Sequence, residues 1–197
     1  MSHEYPPLVL ASSSPFRREL LGRLGLQFLC DSPDIDESRQ PDEPAEALVQ
    51  RLALEKARVV ATRHPGALVI GSDQVAVLED GSILGKPGSA ERASEQLLQA
   101  SGSSVTFLTG LCLYNSSSEQ HQLCCEPFRV HFRQLSREAI DSYIKKEQPL
   151  NCAGSFKSEG LGITLFRRLE GDDPNALIGL PLIRLTDMLA GEGIALP

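Results

Sequence analysis

Short apolar runs alternate with helical patterns along the first half of the chain, which is typical of an α/β fold. Residues 8–11 and 67–74 are apolar runs of strand length, and each ends in small or polar residues. The spacing of leucines predicts a first helix from Pro15 to about Gly25, with Ser14 as its N-cap. A longer helix is predicted over about residues 41–63.

The second half of the chain predicts hairpins, two capped helices and a last strand and helix. The predicted elements are a hairpin over 75–85 that turns at Asp80-Gly81, helices after Ser89 and Ser136, a strand pair at 105–114 and 123–132, a strand at 161–169, a loop at 171–175 and a helix from about Pro181 to Ala190. A short strand at 27–30 follows the first helix, and no internal repeat or linker interrupts the chain. We therefore expect one domain over residues 1–197.

The turn between the first strand and the first helix combines hydroxyls with cations. Ser12 and Ser14 precede the helix, and Arg17 and Arg18 lie in its first turn, where the helix dipole and free N–H groups already favour anions. Cations in this position oppose the helix unless an anion binds there. The turn is therefore a candidate phosphate site, although solvated arginines explain the pattern about as well.

Other charged residues fall at the ends of predicted elements. Glu37 lies in an acidic loop beside Asp36, Lys56 in the long helix, and Asp73 at the end of an apolar strand, where open α/β sheets bind ligands. Lys86 is flanked by glycine and proline, and Glu159 lies in a segment rich in small residues. A solvated turn for Glu37 and a solvent-facing position for Lys56 remain open alternatives.

Composition narrows the chemistry. The 197 residues carry a net charge of −7, so general nucleic-acid binding is not expected. Apolar runs are too short to span a membrane, and the N-terminus does not resemble a signal peptide, so we expect a cytoplasmic protein. The five cysteines form no C-x-x-C pair, which favours buried free thiols. Phosphate-binding cations together with carboxylates that suit Mg²⁺ or Mn²⁺ indicate metal-assisted hydrolysis of a phosphoryl or nucleotidyl bond.

Taken in order, the motifs resemble those of the Maf family of nucleoside triphosphate pyrophosphatases. They are Leu10-Ala-Ser-x-Ser-Pro-x-Arg-Arg-x-Leu-Leu21, Asp36-Glu37, Glu55-Lys56-Ala57, Gly71-Ser-Asp73, Gly85-Lys86-Pro87 and Thr109-Gly110. The resemblance implies an elongated, two-lobed α/β fold like that of the inosine-triphosphate pyrophosphatases, with a mixed sheet, flanking helices and a central cleft. It also implies a homodimer, a nucleotide substrate and a divalent cation (Mg²⁺, Mn²⁺ or Co²⁺).

The same resemblance assigns roles to individual residues. Asp73 would accept the proton of the attacking water, and Glu37, Lys56 and Lys86 would complete the catalytic group. Ser12, Ser14, Arg17 and Arg18 would bind the phosphates, and Glu37 and Asp73 would hold the metal.

Three positions point to a subgroup. Phe16, Gln74 and Glu159 resemble the YceF-like branch of the family, which implies hydrolysis of 7-methyl-GTP to 7-methyl-GMP and pyrophosphate, a house-cleaning role. An aromatic ring at position 16 can stack on the cationic methylated base, and Glu159 can accept hydrogen bonds from guanine. Two alternatives stay open: a pyrophosphatase for dTTP or UTP, and a cell-division regulator that acts through a partner.

Overall fold

The computed structural model describes residues 5–197. In that part of the chain it contains seven strands and six α-helices. In chain order they are β1 (Leu8–Ala11), α1 (Pro15–Gly22), β2 (Leu29–Cys30), α2 (Ala45–Ala61), β3 (Leu68–Leu78), β4 (Ile83–Leu84), α3 (Ala90–Ala100), β5 (Ser104–Asn115), β6 (His121–Phe132), α4 (Arg137–Glu147), β7 (Phe166–Glu170), α5 (Pro174–Ile178) and α6 (Leu182–Gly191). Two short 3₁₀ segments, Ala153–Ser155 and Leu161–Leu165, precede β7.

The strands form one mixed sheet in the order β2-β1-β3-β5-β6-β7, with β4 also paired to β3. β1 pairs in parallel with β2 and with β3, where Leu8 lies opposite Leu68 and Ala11 opposite Gly71. β4 is antiparallel to β3, and β7 is antiparallel to β6. The predicted α/β class with a mixed sheet and flanking helices is confirmed.

Contacts divide the chain into two compact units, each with its own core. The first unit comprises residues up to Asp73, Thr109–Glu126 and Gly179–Pro197, and the second comprises Gln74–Leu108 and Pro127–Ile178. In the first unit, small and β-branched residues of α2 pack on β1 and β3, with Val9, Ala53 and Val69 fully buried.

The core of the second unit is aromatic. Phe107 and Phe132 of the long strands meet Phe156 and Phe166 edge to face, with ring centroids 4.7–5.7 Å apart. Edge-to-face contacts of this kind stabilise a core beyond the area they bury.

Serine caps begin three of the helices, as predicted. The hydroxyl of Ser14 accepts from the backbone N–H of Arg17, and Ser89 and Ser136 cap α3 and α4 in the same way. These caps satisfy N–H groups that the helix itself leaves unpaired. The capping serines therefore predicted the first residue of three helices correctly.

One prediction about the candidate site was wrong: β3 does not end at Asp73 but continues to Leu78. Its pairing with β1 ends at Gly71, and its pairing with β4 begins at Ala76. The strand also pairs with β5, and its chain stays extended through Asp73. The predicted turn at Asp80-Gly81 is present, with Gly81 at φ +84°.

Other boundaries differ as well. α1 ends at Gly22 rather than Gly25, β2 covers only Leu29–Cys30, and residues 161–165 form a 3₁₀ segment where a strand was predicted. A short apolar run does not distinguish a strand from a helical turn, which explains the last error. α5 was predicted as loop because its five residues are too few to show a helical period.

All five cysteines, which lie within the described residues, are free; Cys112 is buried, but Cys30 is exposed, so the expectation of burial was wrong for that thiol. Between residues 5 and 197, no helix is long and apolar enough to cross a membrane.

Candidate active site

A buried lysine joins two of the predicted catalytic carboxylates. Lys56 is only 5% exposed, and its Nζ lies 2.6 Å from Oδ1 of Asp73 and 2.8 Å from Oε1 of Glu37. Asp73 is 8% exposed, whereas 57% of the Glu37 side chain is accessible. The solvent-facing alternative for Lys56 is therefore wrong, whereas Glu37 does lie in a solvated loop and from there pairs with Lys56.

Two glycines allow α2 to lie close enough to the sheet for this contact. A Cβ atom on Gly71 would lie 2.0 Å from the carbonyl oxygen of Ala53, and one on Gly110 would lie 2.1 Å from that of Val49. Any other residue at either position would push the helix away from the strands. The glycines of the Gly71-Ser-Asp73 and Thr109-Gly110 motifs thus have a structural reason: they bring Lys56 within reach of Asp73.

The loop that carries Glu37 is held by an arginine of α2 that the sequence did not single out. Arg51 binds both carboxylate oxygens of Glu43, at 2.6 and 2.9 Å, and also donates to the carbonyl of Ser38 at 3.0 Å. Glu43 in turn accepts from the backbone N–H of Gln40. The hydrogen bond from Arg51 lowers the pKa of Glu43 to about 2 from 4.5.

No local pattern could have revealed this anchor, because the two charges are eight residues apart across a loop–helix junction. The consequence for the site is direct. Ser38 is the neighbour of Glu37, so its bond to Arg51 fixes the backbone beside the catalytic candidate.

The turn before α1 is organised by its own hydroxyls. Oγ of Ser12 accepts from the backbone N–H of Ser14 at 3.1 Å, and Oγ of Ser14 accepts from that of Arg17 at 3.4 Å. Ser12 is buried, Phe16 is half-buried and Arg18 is exposed. A half-buried ring is not a core side chain, which leaves Phe16 available for a stacking role.

Arg17 is the cation that the fold brings to the carboxylates. Its Nε donates to the carbonyl oxygen of Gly179 at 2.8 Å. Burial lowers the pKa of the Arg17 guanidinium, and the negative charges of Asp73 and Glu37 act in the opposite direction. Arg17, Glu37, Lys56 and Asp73 therefore form one electrostatic group in the first unit.

The second unit holds Gln74, Lys86 and Glu159. Gln74 follows Asp73 on β3, and consecutive strand residues face opposite sides of the sheet. Its Nε2 donates to the carbonyls of Ala176 and Leu177 in α5, at 2.7 and 3.1 Å. In this structure Gln74 ties β3 to a helix.

Lys86 and Glu159 are both exposed, and both influence the pKa of the half-buried thiol of Cys152. Burial raises the pKa of Cys152; Lys157 lowers this pKa, Glu159 raises it, and Lys86 lowers it. The two candidate residues therefore lie within electrostatic range of one side chain, although they are 73 positions apart in the sequence (159 − 86).

Glu147 anchors the segment that presents Glu159 and was not predicted either. Its Oε2 accepts from the backbone N–H of Leu161 at 2.8 Å, and its carbonyl accepts from Nζ of Lys157 at 2.9 Å. A Cβ atom on Gly160 would lie 2.9 Å from the carboxylate oxygens of Glu147. Gly160 therefore allows the segment to lie directly on that carboxylate.

The candidate donors for a divalent cation are the two carboxylates beside Lys56. Within the described part of the chain, no three His, Cys, Asp or Glu side chains come together as a metal cage. The carboxylates of Glu37 and Asp73 do approach the same ammonium group, so two oxygen ligands lie close together. Mg²⁺ needs no more, because it usually keeps water and substrate phosphates and takes one or two protein carboxylates.

Comparison with known families decides what kind of chain carries this site. The profile described as "Maf-like protein" matches residues 7–192. This chain belongs to the Maf family. The resemblance drawn from the motifs is thereby confirmed, and the match covers both units.

Relatives and a solved structure agree with this placement. The chain is 63% identical over 192 residues to a 7-methyl-GTP pyrophosphatase of Pseudomonas savastanoi pv. phaseolicola. The alignment covers 98% of this chain and 100% of that protein. It is 59% identical over 197 residues to a protein of the same name from Alcanivorax borkumensis, with both chains fully covered. The Ham1 protein of Staphylococcus aureus shares the fold, with a TM-score of 0.50 at 14% identity over 94% of this chain and 99% of that one.

Proposed function

We propose that this Maf protein is a nucleoside triphosphate pyrophosphatase that cleaves 7-methyl-GTP to 7-methyl-GMP and pyrophosphate. The observation that carries the proposal is the buried Lys56 between Asp73 and Glu37, with Arg17 beside the same carboxylates. This arrangement occurs in a chain about 60% identical, over its full length, to proteins named for that activity. The expected biological role is removal of a modified nucleotide before its incorporation.

The proposed chemistry gives each charged group a role. Asp73 accepts a proton from the attacking water, and Lys56 holds the carboxylate in place from the other side. Arg17 and Arg18 bind phosphate oxygens. The hydroxyls of Ser12 and Ser14 and the free backbone N–H groups at the N-terminus of α1 add further hydrogen bonds to the phosphates. Lys86 neutralises the charge that grows on the leaving pyrophosphate.

A divalent cation completes the proposal. Glu37 and Asp73 would hold Mg²⁺, Mn²⁺ or Co²⁺ that arrives with the triphosphate. When bound, such a cation neutralises phosphate charge and polarises the bond to be cleaved.

Selectivity for the methylated base is assigned to Phe16 and Glu159. A 7-methylguanine ring is cationic, so it is attracted to the face of an aromatic side chain by a cation–π interaction. Neutral guanine lacks this attraction. Glu159 accepts hydrogen bonds from N1–H and the exocyclic amine of the base. Gln74 contributes indirectly: its amide nitrogen donates to backbone carbonyls of α5 and so holds that helix instead of the base.

The proposal is tested with a nucleotide panel. The wild-type protein is incubated with 7-methyl-GTP, GTP, dTTP and UTP in Mg²⁺, Mn²⁺ or Co²⁺, and pyrophosphate and orthophosphate are measured separately. We expect pyrophosphate as product, 7-methyl-GTP as the best substrate, and no turnover with chelator. Asp73→Asn should abolish release, while the exposed Asp141→Asn on α4 serves as the matched control and keeps full activity.

Two results would replace the proposal. A preference for dTTP or UTP would place the protein in another branch of the family, and release of orthophosphate alone would exclude a pyrophosphatase. Phe16→Leu should lower the ratio of 7-methyl-GTP to GTP turnover about fivefold, as expected for the loss of roughly 1 kcal/mol of cation–π attraction. An unchanged ratio would remove Phe16 from the base site.

Assembly and location belong to the proposal as well. We expect a homodimer in the cytoplasm that binds neither nucleic acid nor membrane. Light scattering on the purified protein measures the first of these properties directly.

A further inference from the structure

One backbone carbonyl links the phosphate-binding arginine to the strand that carries the catalytic aspartate. The carbonyl oxygen of Gly179 accepts a hydrogen bond from Nε of Arg17 at 2.8 Å and a second from Oγ of Ser72 at 3.0 Å. Ser72 is fully buried and directly precedes Asp73. Neither Gly179 nor the hydroxyl of Ser72 is among the residues that the family motifs suggest for the chemistry.

The bond from Arg17 to Gly179 uses Nε and leaves the edge formed by the two Nη groups outside this hydrogen bond. Arginine binds phosphate oxygens in pairs, and the two Nη groups form one of the edges suited to this. An acceptor on Nε restricts rotation of the guanidinium plane and keeps the Nη edge out of that bond. The orientation of Arg17 is thereby set by the backbone before any ligand binds.

Only glycine holds the carbonyl in this position. Gly179 has φ +126°, a conformation that L side chains rarely adopt. A Cβ atom there would meet Nε of Arg17 at 3.5 Å, which is ordinary contact, so the obstacle is the backbone conformation and not space. Another residue would have to change φ, and the carbonyl would turn away from Arg17.

We propose that Gly179 is a positioning residue: its carbonyl, held by the Ser72 hydroxyl, aims the Arg17 guanidinium at the substrate phosphates in register with Asp73. This inference rests on the proposed function, because it assigns Arg17 to the phosphates of a nucleotide. It adds a specific claim, which is that Gly179 acts only through Arg17.

The test is a double-mutant cycle with Gly179→Ala and Arg17→Lys. Lysine keeps the positive charge but has no planar fork to be aimed. Two quantities are measured for the four proteins: the affinity for tripolyphosphate by calorimetry, and kcat/KM for pyrophosphate release from 7-methyl-GTP. Gly193→Ala is the control, since Gly193 also has a positive φ, +81°, and a Cβ atom there meets nothing within 4 Å.

We expect Gly179→Ala to weaken tripolyphosphate binding about tenfold and to lower kcat/KM up to about a hundredfold, as expected for a misplaced charged donor. In the Arg17→Lys background the same change should cost less than about threefold in either quantity. Gly193→Ala should lower the melting temperature through strain but leave both quantities unchanged.

Equal losses from Gly179→Ala in both backgrounds would overturn the proposal, because they would show a general structural effect. Wild-type affinity for tripolyphosphate in Gly179→Ala would overturn it too. If Gly179→Ala does not fold, Ser72→Ala gives the same cycle with a milder change, and the same two results decide. Absence of pyrophosphate release from the wild type would contradict the proposed function, while tripolyphosphate binding would still decide the role of Gly179.

Discussion

Replacement of Lys56 by methionine tests whether the catalytic group is built around a buried charge. Methionine has a side chain of similar length but no charge, so the packing of α2 on the sheet is largely kept. Lys56 is 5% exposed and Asp73 8%, so the change leaves a buried carboxylate without its nearest cation. Arg17 remains nearby, but it binds the Gly179 carbonyl.

The magnitude follows from the geometry. At 2.6 Å and an effective dielectric constant of about 20, the gross attraction between Lys56 and Asp73 is about 6 kcal/mol, most of which offsets desolvation of the two groups. The pair with Glu37 is worth less than about 1 kcal/mol, because 57% of that side chain is accessible. Removing one partner of a buried pair costs about 3–5 kcal/mol, from which the apolar methionine recovers part. We therefore expect the free energy of unfolding to fall by about 3 kcal/mol.

The assay is urea denaturation followed by circular dichroism, because the chain contains no tryptophan. A loss of this size corresponds to a melting temperature roughly 6–12 °C lower for a chain of this length. Pyrophosphate release should fall at least about a hundredfold, since Asp73 is no longer held in place. Lys146→Met, an exposed position on α4, is the matched control and should change neither quantity.

The double variant Lys56→Met/Asp73→Asn separates the charge from the packing. Because it removes both buried charges, it should be more stable than Lys56→Met alone, although it remains inactive. The reasoning fails if Lys56→Met loses less than about 1 kcal/mol, or if the second substitution lowers the stability further.

Three further predictions concern the surroundings of the site. The folded-state pKa of Glu43 is about 2 against an ordinary 4.5, so ionised Glu43 stabilises the fold above about pH 4.5 and this contribution is lost as the pH falls towards 2; Glu43→Gln should therefore be less stable than wild type at pH 7, and the two unfolding curves should converge near pH 2. Gly71→Ala should cost about 3 kcal/mol of stability and most of the activity, because its Cβ would lie 2.0 Å from a backbone oxygen, whereas Gly22→Ala, with no atom within 4 Å, is expected to be neutral by thermal denaturation. Burial raises the pKa of Cys112 to about 12 while Cys30 is exposed, so a thiol reagent at pH 8 should label Cys30 first; fast labelling of Cys112 would contradict its burial.

Local signals predicted much of the fold. Ser14, Ser89 and Ser136 cap their helices as expected, and the Asp80-Gly81 turn connects two antiparallel strands. These features depend on hydrogen bonds between residues two to four positions apart, so neighbouring residues suffice to specify them.

The errors fall where distant pairing decided the structure. An apolar strand up to residue 74 and a hairpin from residue 75 were both predicted, but not that they form one continuous strand, β3, which pairs with β1, β4 and β5. The 3₁₀ segment at 161–165 begins where the carboxylate of Glu147, at the end of α4, accepts a hydrogen bond from the backbone N–H of Leu161. Local propensity gives no information about either contact.

The sequence by itself determined the family motifs, and these made Ser12, Arg17, Glu37, Lys56 and Asp73 the candidates for the chemistry. Tertiary structure alone decided that Lys56 is buried between two carboxylates, that Arg51 fixes the loop of Glu37, and that Gly179 binds Arg17. The physical reason is that burial and orientation depend on groups contributed by remote segments. Gly179 is 162 positions from Arg17, and only the folded chain brings its carbonyl to the guanidinium.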